Sequence, residues 1–222
     1  VFLKNPNLEK ISNDPAYKTL ASIYDFYIKT FYEKRKSVRL KKKIGSRLFL
    51  AGLMEMLPEK KWYSNANSTL RLTYGNVGDY VPGDAMHYNY YTTIDGIIEK
   101  EDSTNEEFIV PKKLKELYLL KDYGDYADTN GVLRVNFISN NDITGGNSGS
   151  PVINGWGELV GTAFDGNWEA MSGDIAFENE IQRTISVDIR YILFVIDKFA
   201  GATHLISEMS IAPSRKSIVL KN

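Results

Sequence analysis

The chain has 222 residues, 43% hydrophobic and 25% charged, enough for one large globular domain or two modest ones. A formal net charge of -1 gives no overall field toward nucleic acid or anionic membrane, and the absence of cysteine excludes disulfides, a thiol nucleophile and cysteine-bound zinc. No apolar run approaches the ~18 residues of a membrane span, and no His/Asp/Glu spacing suggests a metal or cofactor site.

Charge divides the chain near Lys61. Residues 1–61 hold 14 Lys or Arg against 6 Asp or Glu, and the remainder holds 13 against 22, which predicts two structural units, 1–61 and 62–222. The opening VFLKNPNLEK lacks both an initiator Met and a signal-peptide pattern, as though cut from a longer chain. Asn13 and Asp14 can cap a helix, Pro15 suits its first position, and Tyr17, Leu20, Ala21, Tyr24, Tyr27, Ile28 and Phe31 share a face. A second helical pattern runs through Leu40, Ile44, Leu48 and Ala51 toward Leu57. The basic run EKRKSVRLKKK between the patterns reads as a solvated helix face, since no interleaved aromatics support nucleic-acid binding.

From Thr69 the texture changes to strands. Leu70, Leu72 and Tyr74 alternate with polar residues up to Gly75, and 88–98 and 132–138 are further strand candidates. Lys112 to Leu120 reads as a helix after Pro111. Residues 154–157 read as the turn of a hairpin, and 185–189 as a strand feeding a helix with Ile189, Ile192, Leu193, Ile196 and Phe199 on one face. Asp188 is placed to cap that helix, and Trp156 and Trp168 read as packing or rim residues.

The stretch GGNSGSPV carries the chemistry. Nucleophilic acyl transfer needs a hydroxyl at a tight bend and backbone N–H groups aimed at the developing oxyanion. Gly145, Gly146 and Gly149 around Ser148 permit that backbone, with Gly146 and Ser148 N–H as the oxyanion donors. An ordinary Gly/Ser/Asn turn is the plainer reading. A serine nucleophile needs an imidazole base, and the chain has two histidines. His204 follows the serine, the wrong order for a chymotrypsin-type chain. His87 lies too close before it to leave room for a first barrel, and it reads as a strand-edge histidine.

TGGNSGSPV, GELVGTAFDGNWEAMSGDI and QRTISVDIRYILFVIDKFAGATHLI together resemble the C-terminal part of the bacterial dipeptidyl-peptidase 7 and 11 family of serine exopeptidases. The resemblance extends over about residues 62–208. It implies a mainly β fold with helices: the second barrel of a chymotrypsin-type double-barrel protease, ending in a helix and preceded by part of an inserted helical domain. It also implies that the triad's histidine and aspartate lie in an N-terminal part outside this chain, which alone would be inert. In the Phe164–Asp165 segment, Asp165 matches the family's aspartate that holds the substrate's α-ammonium. Gly166, where an arginine would imply selection of Asp or Glu, implies an open apolar S1 pocket. The resemblance further implies a peptide substrate with a free N-terminus, a homodimer and a periplasmic or envelope location in a Gram-negative bacterium. Two rivals stand beside it: a non-catalytic protease-like domain that binds peptides or partners, and a compact protease using His87.

Overall fold

The computed structural model describes residues 7–60, 62–64, 69–173 and 177–213. They fall into two units, Val1–Ser64 and Asn65–Asn222. In the first, Asn7 caps a short helix α1 (Leu8–Asn13), accepting from Glu9 N at 2.8 Å. Asp14 then caps α2 (Pro15–Tyr27), its Oδ1 accepting from Tyr17 N at 3.0 Å. Pro15 sits where its missing N–H costs nothing. The helical path passes through a π-helical turn, Ile28–Tyr32, into α3 (Glu33–Met56) without a cap between them. The basic run is therefore part of a continuous helix, and from Lys34 to Lys43 its side chains are exposed.

The second unit departs from expectation at its start. Leu70, Leu72 and Tyr74 form no strand: they are 101%, 80% and 81% exposed. Toward its end the segment is tied to residues 139–142: Thr73 Oγ1 donates to Asp142 O at 3.0 Å, Asn76 N donates to Asn140 Oδ1 at 2.7 Å, and Val77 bridges Ser139. The stretch 88–98 also splits, into β1 (Tyr91–Thr93) and a helix α4 (Ile94–Glu99). The expected helix after Pro111 forms as α5 (Lys112–Leu120) and closes at Lys121, in the left-handed region with φ 50°.

Four more strands follow: β2 (Arg134–Ser139), β3 (Pro151–Ile153), β4 (Leu159–Gly166) and β5 (Thr184–Asp188). They complete an antiparallel sheet in the order β1-β2-β5-β4-β3. The expected closed barrel does not appear. Among the described residues β1 and β3 are edges of an open sheet, and 69–76, which could have continued it, forms no strand. Asp188 ends β5 and caps α6 (Ile189–Phe194), accepting from Arg190 N at 2.9 Å; a π-helical turn, Val195–Phe199, and α7 (Thr203–Ser207) follow.

Helices α4, α5 and α6 gather the apolar core. Ile94, Val110, Leu114, Tyr123, Leu133, Val135 and Phe194 are buried together, with Leu133 and Phe194 fully inaccessible. Each such side chain contributes about 1.5–3 kcal/mol. On β2 the alternation buries Val135, Phe137 and Ser139; on β5 it buries Thr184, Ser186 and Asp188. Phe137 lies so close to β4 that a Cβ on Gly161 would stand 2.6 Å from its ring.

Candidate active site

The serine loop is fastened at both ends. Thr144 N donates to Asn147 Oδ1 at 3.0 Å, and Asn147 N to Thr144 O at 3.1 Å, which closes the turn before Ser148. After it, Gly149 N donates to Ala163 O at 2.8 Å and Ala163 N to Ser150 O at 3.0 Å, so the loop leans on β4. Between these anchors Gly146 has φ 102° and Gly149 φ 84°, conformations that L side chains rarely adopt. Ser148 is exposed, and its Oγ donates to the Phe164 carbonyl at 3.3 Å. Among the described residues, the N–H groups of Gly146 and Ser148 donate to no protein acceptor.

One irregularity in β4 sets the rest of the site. Ala163 pairs with Ser186 and Asp165 with the adjacent Ile185, so Phe164 is an extra residue with no partner on β5. Such a bulge changes the face on which the following residues lie. Ala163 stays buried, Phe164 and Asp165 are exposed, and Gly166 returns opposite the buried Thr184. Without the bulge Asp165 would share the face of Ala163 and point into the protein. Asp165 uses Oδ1 to accept from Gly166 N at 2.8 Å, and no described residue engages Oδ2. A Cβ on Gly166 would meet Ala170 Cβ at 3.0 Å and Ile143 Cγ2 at 3.5 Å. Ile143 belongs to the approach to the serine and Ala170 to the 3-10 turn Trp168–Ser172, so the two flank the α-carbon of Gly166 closely. The sequence carried no signal for either neighbour; their closeness comes from the chain path.

The remaining candidates lie elsewhere. His87 Nε2 is 3.3 Å from Asp79 Oδ2, in a pair whose side chains are 55% and 42% exposed. Asp79 Oδ1 meanwhile accepts from Tyr90 N at 2.6 Å. His204 is exposed on α7. Neither histidine contacts Ser148. Asp188 holds Arg190, whose Nε donates to its Oδ1 at 2.9 Å, as well as capping α6, so it has a structural task. Trp156 lies exposed in the β3–β4 turn, and Trp168 opens the 3-10 turn with its ring in solvent. Among the described residues no three His, Asp or Glu side chains converge as a metal site, and no helix is long and apolar enough to cross a membrane.

The description of the Peptidase S46 family matches residues 2–211. The chain belongs to this family. Within peptidase S46 it is 53% identical over 210 residues to the dipeptidyl-peptidase 7 of Phocaeicola vulgatus, covering 95% of this chain and 29% of that protein. It is 46% identical over 214 residues to the Asp/Glu-specific dipeptidyl-peptidase of Porphyromonas gingivalis, covering 96% of this chain and 29% of that one. The crystal structure of Porphyromonas endodontalis DPP11 in complex with substrate superposes with a TM-score of 0.78 at 41% identity, over 93% of this chain and 30% of the other. The chain thus spans less than a third of the length of these S46 relatives.

Proposed function

We propose that this chain is the serine-bearing C-terminal part of a dipeptidyl-peptidase that cuts dipeptides from free N-termini and prefers an apolar P1 residue. The observation that carries this reading is the 3.3 Å bond from Ser148 Oγ to the Phe164 carbonyl, which joins the serine turn to the Phe164–Asp165–Gly166 segment. In this mechanism Ser148 Oγ attacks the carbonyl of the second residue and gives its proton to an imidazole from outside these 222 residues. The N–H groups of Gly146 and Ser148 receive the oxyanion. The amine leaves with the proton, and water hydrolyses the dipeptidyl ester on Ser148. An extended dipeptide spans about 7 Å, and Asp165 Oδ2 supplies the anion for its ammonium. The missing side chain at Gly166, which Ile143 and Ala170 flank, leaves the P1 side chain room beside it. The rest of the enzyme, a second copy in a homodimer, and a periplasmic or envelope setting belong to the same proposal.

Labelling with a fluorophosphonate tests it. The chain alone should label negligibly, because an unassisted serine hydroxyl stays protonated near neutral pH. Full-length S46 protein carrying this chain should label, and Ser148→Ala should abolish the signal. The His87–Asp79 pair is the observation that favours a self-contained protease. Strong labelling of the chain alone would establish that reading, and absence of labelling in both forms would leave a non-catalytic binding domain.

A further inference from the structure

The turn Trp168–Ser172, which brings Ala170 against Gly166, is held by a polar cluster that the proposed chemistry does not use. Glu169, in the 3-10 turn Trp168–Ser172, accepts two hydrogen bonds on one oxygen: from Tyr80 OH at 3.2 Å and from Asn167 Nδ2 at 2.7 Å. The buried Asn167 also donates through Nδ2 to Ile181 O at 2.8 Å and accepts from Arg183 N on Oδ1 at 2.8 Å. Arg183 is buried. Its guanidinium donates to the carbonyls of Asn179, Gln182 and Glu180, and to Asp79 O at 3.0 Å, and bonds no carboxylate among the described residues. The same guanidinium lies over the Tyr80 ring, 5.4 Å from its centroid, and Tyr80 stacks on Tyr88 at 5.1 Å.

A planar fork of donors suits Arg183 to this work, since it can bind carbonyls from both sides at once. Through it, residues 79–90 are joined to the lead-in of β5. Through Tyr80 and Glu169, they are joined to the turn that carries Ala170. Ala170 in turn stands at contact distance from any side chain placed at Gly166.

We propose that Tyr80, Glu169 and Arg183 are positioning residues that fix the turn Trp168–Ser172 and thereby the depth of the P1 pocket. The proposal rests on the dipeptidyl-peptidase reading above. It assigns a specificity role to residues 79–90, which contribute no group to the chemistry. Loosening the clamp should let Ala170 move, so that large and small P1 side chains are told apart less well.

The test uses full-length S46 protein carrying this chain, with dipeptidyl fluorogenic amides bearing Phe or Ala at P1. Glu169→Ala should lower the Phe-to-Ala ratio of kcat/KM about tenfold and Tyr80→Phe about threefold, since the first removes both hydrogen bonds to the carboxylate and the second only the longer one. The change should fall on KM, with the rate of fluorophosphonate labelling at Ser148 unaltered. Glu169→Gln should stay within about twofold, because its amide oxygen can accept the same two bonds. An unchanged ratio in Glu169→Ala, or an equal loss on both substrates and in labelling, would overturn the positioning role while leaving the peptidase reading intact. Failure of the unmodified protein to label would overturn both.

Discussion

Asp165 shows how one extra residue can bring a carboxylate to the surface. The bulge at Phe164 exposes it, and its bond to Gly166 N occupies only Oδ1. Asp165→Asn should keep that bond through the amide oxygen and lose only the negative charge at the second atom. For substrates with a free N-terminus kcat/KM should then fall roughly ten- to a hundredfold, the worth of a hydrogen bond between charged partners. Acetylated substrates, already poor, should lose far less. Equal fractional losses on both would make Asp165 a structural residue. At the next position Gly166→Arg would put a Cβ 3.0 Å from Ala170 and 3.5 Å from Ile143, so the turn must yield slightly before the side chain can extend. Apolar P1 substrates should lose activity, since a filled pocket forfeits about 1.5–3 kcal/mol of side-chain burial. Substrates with Asp or Glu at P1 should gain relative to them by pairing with the guanidinium. The gain should be partial, because an introduced guanidinium has to be oriented by neighbours that hold none in the native chain. Comparing kcat/KM across Phe, Leu, Asp and Glu at P1 measures it; an unchanged apolar preference would put Gly166 outside S1.

Local chemistry governs several elements, and one of them titrates. Asp128 shapes the entry to β2, accepting from Val132 N at 3.1 Å and Asn130 N at 2.9 Å on Oδ1, and from Arg134 Nε at 3.2 Å on Oδ2. The Val132 amide above all, then the Asn130 amide and Arg134, hold its carboxyl below the usual carboxylate value. A folded-state pKa below the unfolded one contributes stability that is complete above the unfolded value, about 4, and disappears as pH falls through the folded value. The thermal midpoint of the native chain should therefore exceed that of Asp128→Asn near pH 7, with the gap shrinking below about pH 4. A gap that stayed constant into acid would remove the carboxylate from the account. Signals of this local kind were legible in the sequence: Asp14 with Pro15, Pro111 before α5, the turn at 154–157, and Asp188 before α6. So was the serine loop, because its positive-φ glycines are a backbone requirement. What the sequence hid depends on distant partners. Ile94–Glu99 is rich in isoleucine and reads as strand, yet Ile94 N bonds Leu133 O at 3.1 Å and the segment turns helical to bury Ile94. The π-helical turn at Val195–Phe199 breaks the 3.6-residue period, and the fully buried Phe194 falls outside the face drawn through Ile192, Ile196 and Phe199. Alternation at Leu70, Leu72 and Tyr74 signals a strand but supplies no neighbour to pair with. The bulge at Phe164 leaves no mark in composition.

On the scale of the whole molecule the two units differ in kind. The sheet unit has a fully enclosed core around Leu133 and Phe194, whereas no described residue of 7–60 is buried, and Leu40, Ile44 and Leu48 face solvent along α3. Helices owe most of their stability to packing of an apolar face, and in the described residues of the first unit that face is exposed. In the sheet unit Ser148 Oγ bonds a main-chain carbonyl and Asp165 is exposed, while His87 pairs with Asp79, which also accepts from Tyr90 N. A half-exposed pair of this type contributes about 0–1 kcal/mol to stability. In full-length S46 protein carrying this chain, His87→Ala should accordingly keep kcat/KM within about threefold of the unmodified enzyme, as expected of a surface change away from the site. Its fluorophosphonate labelling should be equally intact, while Ser148→Ala loses both. A fall of several orders of magnitude in His87→Ala, with the thermal midpoint unchanged, would instead make His87 the base. The base would then lie within these 222 residues, and the need for a second part of the chain to supply it would disappear.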